Sequence, residues 1–254
     1  VWFKKGMSHF HLKAYEEAAS AMKRAVDAGM PDKEALYYLG MAQYQLKDYA
    51  GAVESLSRAK SLGSSDEQML VYLGEAQYAL QNYDEALQVF SEGLSVFPAS
   101  QRSYLGRGKA HFHLKQYELA KNDLLKALEG GLKDPTALYY MGLAHVTLGT
   151  YKEGAEALQN AEAQGVKEMA LYEARGLAHF HLNQYKEADQ DFQKAFELGN
   201  AVPQNHYFAG IARFELGNMR GALEHLIKAQ EGGVNDHKLF SYLGQAYYSA
   251  GNND

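Results

Sequence analysis

The sequence predicts an all-α solenoid of stacked helix-turn-helix repeats, on three observations. A glycine stands at every thirty-fourth residue: Gly6, Gly40, Gly74, Gly108, Gly142, Gly176, Gly210 and Gly244. Apolar residues recur at fixed distances from it, three or four apart, as one face of a helix requires. Turn and capping residues recur between these apolar runs. A fixed period of this length marks a repeat array, in which each unit buries its apolar face only by stacking on its neighbours. Such an architecture directs the search for function to a surface rather than to a pocket of catalytic side chains.

The first helix of each unit carries the glycine and, two residues on, a small residue (Ser8, then Ala42 through Ala246 in the same register). Six residues on stands a leucine, from Leu12 to Leu216. The second helix opens on Tyr15, Tyr49, Tyr83, Tyr117, Tyr151 and Tyr185, with Met219 in the seventh unit. It continues with small residues such as Ala18 and Ala25 on either side of a bulky one: Met22, Leu56, Phe90, Leu124, Leu158, Phe192 or Leu226. Small residues allow helix backbones to approach closely while the large ones fill the space beside them.

Turn chemistry divides the helices. Gly29, Gly63, Gly131, Gly165, Gly199 and Gly233 are placed to close second helices in the left-handed conformation. Asp32, Asp66, Ser100, Asp134 and Asp236 are expected to cap the first helices that follow. Within units, Thr150 with Glu153 reads as a capping box, and Asp48, Asn82 and Asn218 as simple caps. The resulting units span residues 1–32, 33–66, 67–100, 101–134, 135–168, 169–202 and 203–236, with a partial unit at 237–254, in a single array. The chain starts inside a first helix and stops where a second should begin, which suggests a segment of a longer protein.

On these residues the chain resembles the tetratricopeptide repeat family. The Leu39-Gly40, Leu73-Gly74 and Leu243-Gly244 pairs, the tyrosine opening the second helix, the alanines and Pro98 in the family's terminal proline place carry the resemblance over essentially the whole length. It implies a right-handed superhelix of helix pairs that binds peptides or proteins in a concave groove lined by first helices. Carried onto this sequence, the groove is expected to present Phe3, Tyr37, Tyr139 and Tyr207 three residues before the glycine. Four residues after it come Phe10, Tyr44, Tyr78, Phe112, Phe180 and Phe214. Aromatics offer a large contact area at small entropy cost; the alternative is that they pack between adjacent first helices. The clamp of lysine, asparagine and arginine by which some relatives hold a C-terminal carboxylate is not matched, because only Arg102 has a basic counterpart and Gly106 occupies its companion's place.

Charge narrows the partners. The chain has 46% hydrophobic residues, a net charge of −6, no cysteine and no apolar run long enough to span a bilayer. Nucleic acid and direct membrane insertion are therefore not expected, disulfides and thiolate metal sites are excluded, and the cytoplasm is favoured while the periplasm also fits. Residues 101–134 nevertheless carry seven Lys and Arg against four Asp and Glu, and Arg102 and Lys109 there are placed to attract an acidic or phosphorylated segment.

No cofactor, metal or catalytic site is expected. The string HFHL begins at His9, His111 and His179, each preceded by a basic residue before the glycine (Lys5, Arg107, Arg175) in place of the usual leucine. Histidines two apart point in different directions on a helix, and the three units are not adjacent, so the strings read as a repeat subtype. Gly106-x-Gly108 lacks the third glycine of a dinucleotide loop, and no phosphate loop, HExxH or nucleophile elbow occurs. The reading is a non-enzymatic scaffold that binds a partner peptide or helix. The alternatives are the recognition arm of a larger enzyme and a module that self-associates through its uncapped end helices.

Overall fold

The computed structural model describes residues 1–28 and 32–251, so the expected cap at Gly29 lies outside the described residues. They form fifteen helices and no strand: α1 (Trp2–His11), α2 (Tyr15–Asp27), α3 (Lys33–Gln45), α4 (Tyr49–Ser61), α5 (Glu67–Ala79), α6 (Tyr83–Val96), α7 (Gln101–His113), α8 (Tyr117–Glu129), α9 (Pro135–Thr147), α10 (Tyr151–Ala163), α11 (Met169–His181), α12 (Tyr185–Glu197), α13 (Pro203–Glu215), α14 (Met219–Glu231) and α15 (His237–Ser249). Odd-numbered helices are the first helices of the repeats and even-numbered ones the second. Two compact units result, residues 1–133 with α1–α8 and residues 134–254 with α9–α15.

The repeat glycine sets the distance between the two helices of a pair. A Cβ built on Gly40 would lie 2.6 Å from Leu56 Cγ, and the same relation joins Gly142 to Leu158 at 2.6 Å. The bulky second-helix residues Leu56, Phe90, Leu124, Leu158, Phe192 and Leu226 are almost fully buried as a result. Phe90 also explains Gly106: a Cβ there would meet its ring at 2.2 Å, so this glycine is a packing requirement of the next first helix.

The expected first-helix caps form. Asp32, Asp66, Ser100, Asp134 and Asp236 each accept from a backbone N–H of the first turn that follows. Gly63, Gly131, Gly165, Gly199 and Gly233 adopt φ between 86° and 100°, as the left-handed closure requires. The caps between helices of a pair divide. Asp48 and Asn218 accept from Gly51 N and Gly221 N, but Asn82 and Thr150 make no cap bond, and the expected capping box is absent.

These side chains also face the helix that precedes them. The residue three after the repeat glycine reaches the residue eight after it: Asn82 Nδ2 donates to Gln77 Oε1 at 2.9 Å, and Thr150 Oγ1 is joined to His145 Nδ1 at 2.8 Å. Asp48 has oxygens for both tasks, accepting from Gln43 Nε2 on one and capping Gly51 with the other. The turn after each first helix also has a left-handed residue seven after the glycine. That residue is Lys13, Lys47, Gln81, Lys115 and Asn183 at φ 57° to 62°, and glycine at 149, 217 and 251.

Candidate functional site

Within each unit successive first helices touch one another, α1 to α3 to α5 to α7 and α9 to α11 to α13 to α15, while no such contact joins successive second helices among the described residues. The first helices are therefore the tighter, inner row of each unit. Their face is the candidate binding surface.

The residues three before the glycine differ in accessibility along it. Phe3, Tyr37 and Tyr139 are half-buried, whereas Tyr207 is only 6% exposed and its hydroxyl lies 3.5 Å from the Asp236 carboxylate. Burial, followed by the Asp66 carboxylate, holds the Tyr37 hydroxyl protonated far above the ordinary phenol range. Burial, then Tyr140 and the carboxylates of Glu168 and Glu173, pushes Tyr139 up to about 12. Both tyrosines thus offer a neutral hydroxyl with an apolar ring. Tyr37 also forms a wall of a cleft of about 590 Å³ with Met7, Tyr38, Asp66 and the 63–65 turn.

The row four after the glycine is engaged in packing. Tyr44 meets the second-helix Tyr49 edge-on at 5.6 Å and Tyr72 of the next first helix at 4.9 Å. Phe180 does the same with Tyr185 at 5.8 Å and Phe208 at 4.9 Å. Tyr78 and Phe112 contact Tyr83 and Tyr117, and Phe214 contacts Tyr242. Tyr44, Tyr78, Phe112 and Phe180 tie a first helix to its own second helix, and Tyr44, Tyr78 (through His113), Phe180 and Phe214 tie it to the next first helix.

The basic pair is engaged as well. Arg102 Nη2 donates to both carboxylate oxygens of Glu75 at 3.0 and 3.1 Å and its guanidinium lies over the Tyr72 ring, and the Lys109 ammonium lies 4.3 Å from the Tyr78 ring centroid. The positive charge expected of Arg102 is balanced before any ligand arrives.

A polar network not anticipated from the sequence joins first and second helices. Arg175, 5% exposed, binds Asp191 through Nε at 2.9 Å and Nη2 at 2.7 Å, and its Nη1 meets Glu162 at 2.6 Å. His179 Nδ1 reaches Asp191 at 3.0 Å. The other Glu162 oxygen accepts from Lys194 Nζ and from Tyr172 Oη, each at 3.0 Å. Burial alone would raise the Glu162 pKa, but the hydrogen bonds from Arg175, Lys194 and Tyr172 outweigh it and bring it to about 2. These groups floor and flank a cleft of about 550 Å³ between α10 and α12. Arg107 repeats the pairing with Asp123 at 2.6 and 2.8 Å. Lys5 lacks such a partner, since Ala21 stands in the aspartate's place, and lies over Trp2 instead. The signal was present: an aspartate sixteen residues after the basic one occurs in the two units with arginine there.

No group of three or more potential metal ligands occurs among the described residues, and no helix is long and apolar enough to cross a membrane.

The sequence matches a family model described as tetratricopeptide repeat over residues 71–134 and 139–203, together more than half of the chain. Residues 11–93 match the model for subunit 3 of the anaphase-promoting complex, or cyclosome. No curated protein matches. Among solved structures, YrrB, described as a TPR protein with an unusual peptide-binding site, is 22% identical with a TM-score of 0.63, over 76% of this chain and 100% of its own. A tetratricopeptide repeat protein from Parabacteroides merdae is 20% identical with a TM-score of 0.61, over 96% and 97%. The APC/C hetero-tetramer Cut9-Hcn1 gives 15% identity and a TM-score of 0.59, over 95% of this chain and 48% of that one.

Proposed function

Because the chain belongs to the tetratricopeptide repeat family, we propose that it is a non-enzymatic scaffold that holds a partner peptide or helix along its first-helix face. The observation that carries this reading is the half-buried row of Phe3, Tyr37 and Tyr139 on the inner helices, with the cleft beside Tyr37. Half-buried aromatics keep their own conformation fixed while leaving area for a ligand, so little entropy is lost on binding. Phe3, Tyr37 and Tyr139 are the anchors of this reading. Tyr44, Tyr78, Phe112, Phe180, Tyr207 and Phe214 shape the groove floor more than they grip a ligand. Selection of a displayed peptide library on the intact chain tests it. Selected peptides should lose binding to a Tyr37→Ala, Tyr139→Ala double variant that melts at the parent temperature; undiminished binding would refute the assignment.

A specific feature of α15 supports self-association as a second reading. Among the described residues a Cβ on Gly244 would meet nothing within 4 Å, and Phe240, Tyr247 and Tyr248 on the same helix are exposed. Uncovered apolar helix faces of this kind favour association. Sedimentation over a range of concentrations should then show a mass increase that Phe240→Asp abolishes, and a constant monomer mass would exclude it.

A further inference from the structure

The network around Glu162 has a counterpart two repeats earlier that lacks its acceptor. Tyr172, Arg175, His179, Asp191 and Lys194 correspond in repeat register to Tyr104, Arg107, His111, Asp123 and Lys126. Each arginine uses Nε and Nη2 for its aspartate, which leaves Nη1. In the later repeat Nη1, Tyr172 Oη and Lys194 Nζ converge on the Glu162 carboxylate of the preceding second helix. In the earlier repeat the preceding second helix has Leu94 in the register of Glu162. Among the described residues Arg107 Nη1 there reaches Ser91 Oγ alone, at 3.4 Å. Among the described residues the Tyr104 hydroxyl and the Lys126 ammonium have no hydrogen bond or ion pair.

The donors keep their arrangement without the carboxylate. Arg107 and Lys126 lie 5.7 and 5.3 Å from the Tyr104 ring centroid, as Arg175 and Lys194 lie 5.7 and 5.0 Å from that of Tyr172. Asp123 fixes the Arg107 fork and so prepays the ordering of one long side chain. The surrounding repeat, residues 101–134, has three more positive than negative side chains, which favours an anionic visitor. We propose that Tyr104, Arg107 and Lys126 form a binding site for a carboxylate, supplied by an acidic side chain of a partner peptide lying between α6 and α8. The site is separate from the first-helix groove and does not depend on that reading.

The full chain labelled with ¹⁵N is titrated with acetate, and separately with inorganic phosphate, against chloride at constant ionic strength. The Arg107 Nε–Hε resonance should shift saturably with acetate, while that of Arg175, whose site is filled by Glu162, should not. Tyr104→Phe and Lys126→Met should each weaken acetate binding about ten-fold, the effect of one hydrogen bond to a charged group, with an unchanged melting temperature. Glu162→Ala should give Arg175 the same response. Absence of a saturable shift at Arg107, an equal shift at Arg175 in the parent, or no gain in Glu162→Ala would overturn the proposal. Saturation by phosphate without acetate would overturn the carboxylate assignment.

Discussion

A guanidinium taken out of water loses several kcal/mol of hydration, which a single carboxylate recovers only with good geometry and further hydrogen bonds. Arg175 has both, with Asp191 bidentate and Glu162 on the remaining nitrogen. Breaking such a pair from one side is costly because the survivor stays buried and unbalanced. Asp191→Ala should lower the unfolding free energy by about 3–5 kcal/mol, whereas Arg175→Leu with Asp191→Ala, which restores the leucine usual at that place, should recover most of the loss. Urea unfolding of the parent, the single and the double variant decides it. The sequence alone showed arginine replacing leucine without a reason, because the partner lies on the other helix of the pair and its meaning emerges only when the two helices are brought together.

A second residue-scale device responds to acid. His206 Nδ1 and His225 Nδ1 lie 2.8 Å apart, a contact that needs one nitrogen to donate and the other to accept, so at least the accepting ring must be neutral. Both stack on Phe196. Burial first, then the positive charge of Arg213 and the neighbouring His206, lowers the His225 pKa from the ordinary 6.5 to about 4. The folded value lies below the unfolded one, so the unfolded chain takes up the proton first as pH falls. The stability this histidine contributes is complete above about pH 6.5 and is lost as pH drops toward 4, up to roughly 3 kcal/mol. His225→Gln should show a shallower loss of stability between pH 7 and pH 4.5 in chemical denaturation. A parallel loss in parent and variant would place the acid sensitivity in the carboxylates.

At the scale of the helix and its turns, much of the structure was legible because each signal is local. The glycine period, the apolar spacing and the Asp and Ser first-helix caps act within a few residues of one another, and helices formed where they indicated. Thr150 was misread because its single hydroxyl is taken up by His145, through Nδ1 and the backbone carbonyl, whereas Asn82 gives only its amide nitrogen to Gln77 and nothing in the structure explains why its carbonyl makes no cap. The left-handed residue after each first helix was missed because lysine and glutamine give no hint of it. A non-glycine residue there carries a strain of about 1–2 kcal/mol, offset in part by the greater freedom that glycine loses on folding. Lys115→Gly, at φ 60°, should therefore stabilise the chain by about 0.5–1 kcal/mol, while Gly131→Ala, at φ 89°, should destabilise it by a similar amount. Melting temperatures of the two variants should move in opposite directions.

For the whole molecule, repeat architecture makes stability a sum of units and the interfaces between them. The candidate site was less legible than the fold for this reason. A row of aromatics in the register of a groove satisfies equally the needs of ligand binding and of packing between repeats, and the sequence pattern is the same for both. Tyr37, Tyr44, Tyr139 and Phe180 are all half-buried, Tyr44 and Phe180 touch rings of the next first helix, and the Tyr37 hydroxyl reaches Gln68 of the next one, so packing engages both rows. The same additivity fixes where opening is easiest. Among the described residues α15 packs on α13 and α14, no described atom lies within 4 Å of a Cβ built on its glycine, and Phe240 and Tyr248 are exposed. α11, by contrast, touches α9, α10, α12 and α13 and holds the Arg175 network. Local opening free energy follows the interfaces a helix must break, so backbone amides of α15 should exchange with solvent at least about a hundred-fold faster than those of α11, the ratio expected from roughly 3 kcal/mol of missing interface. Native-state hydrogen exchange measures both helices in one experiment. Equal protection in α11 and α15 would mean that the second unit opens as one cooperative body, and the nearest-neighbour description would then fail for this chain.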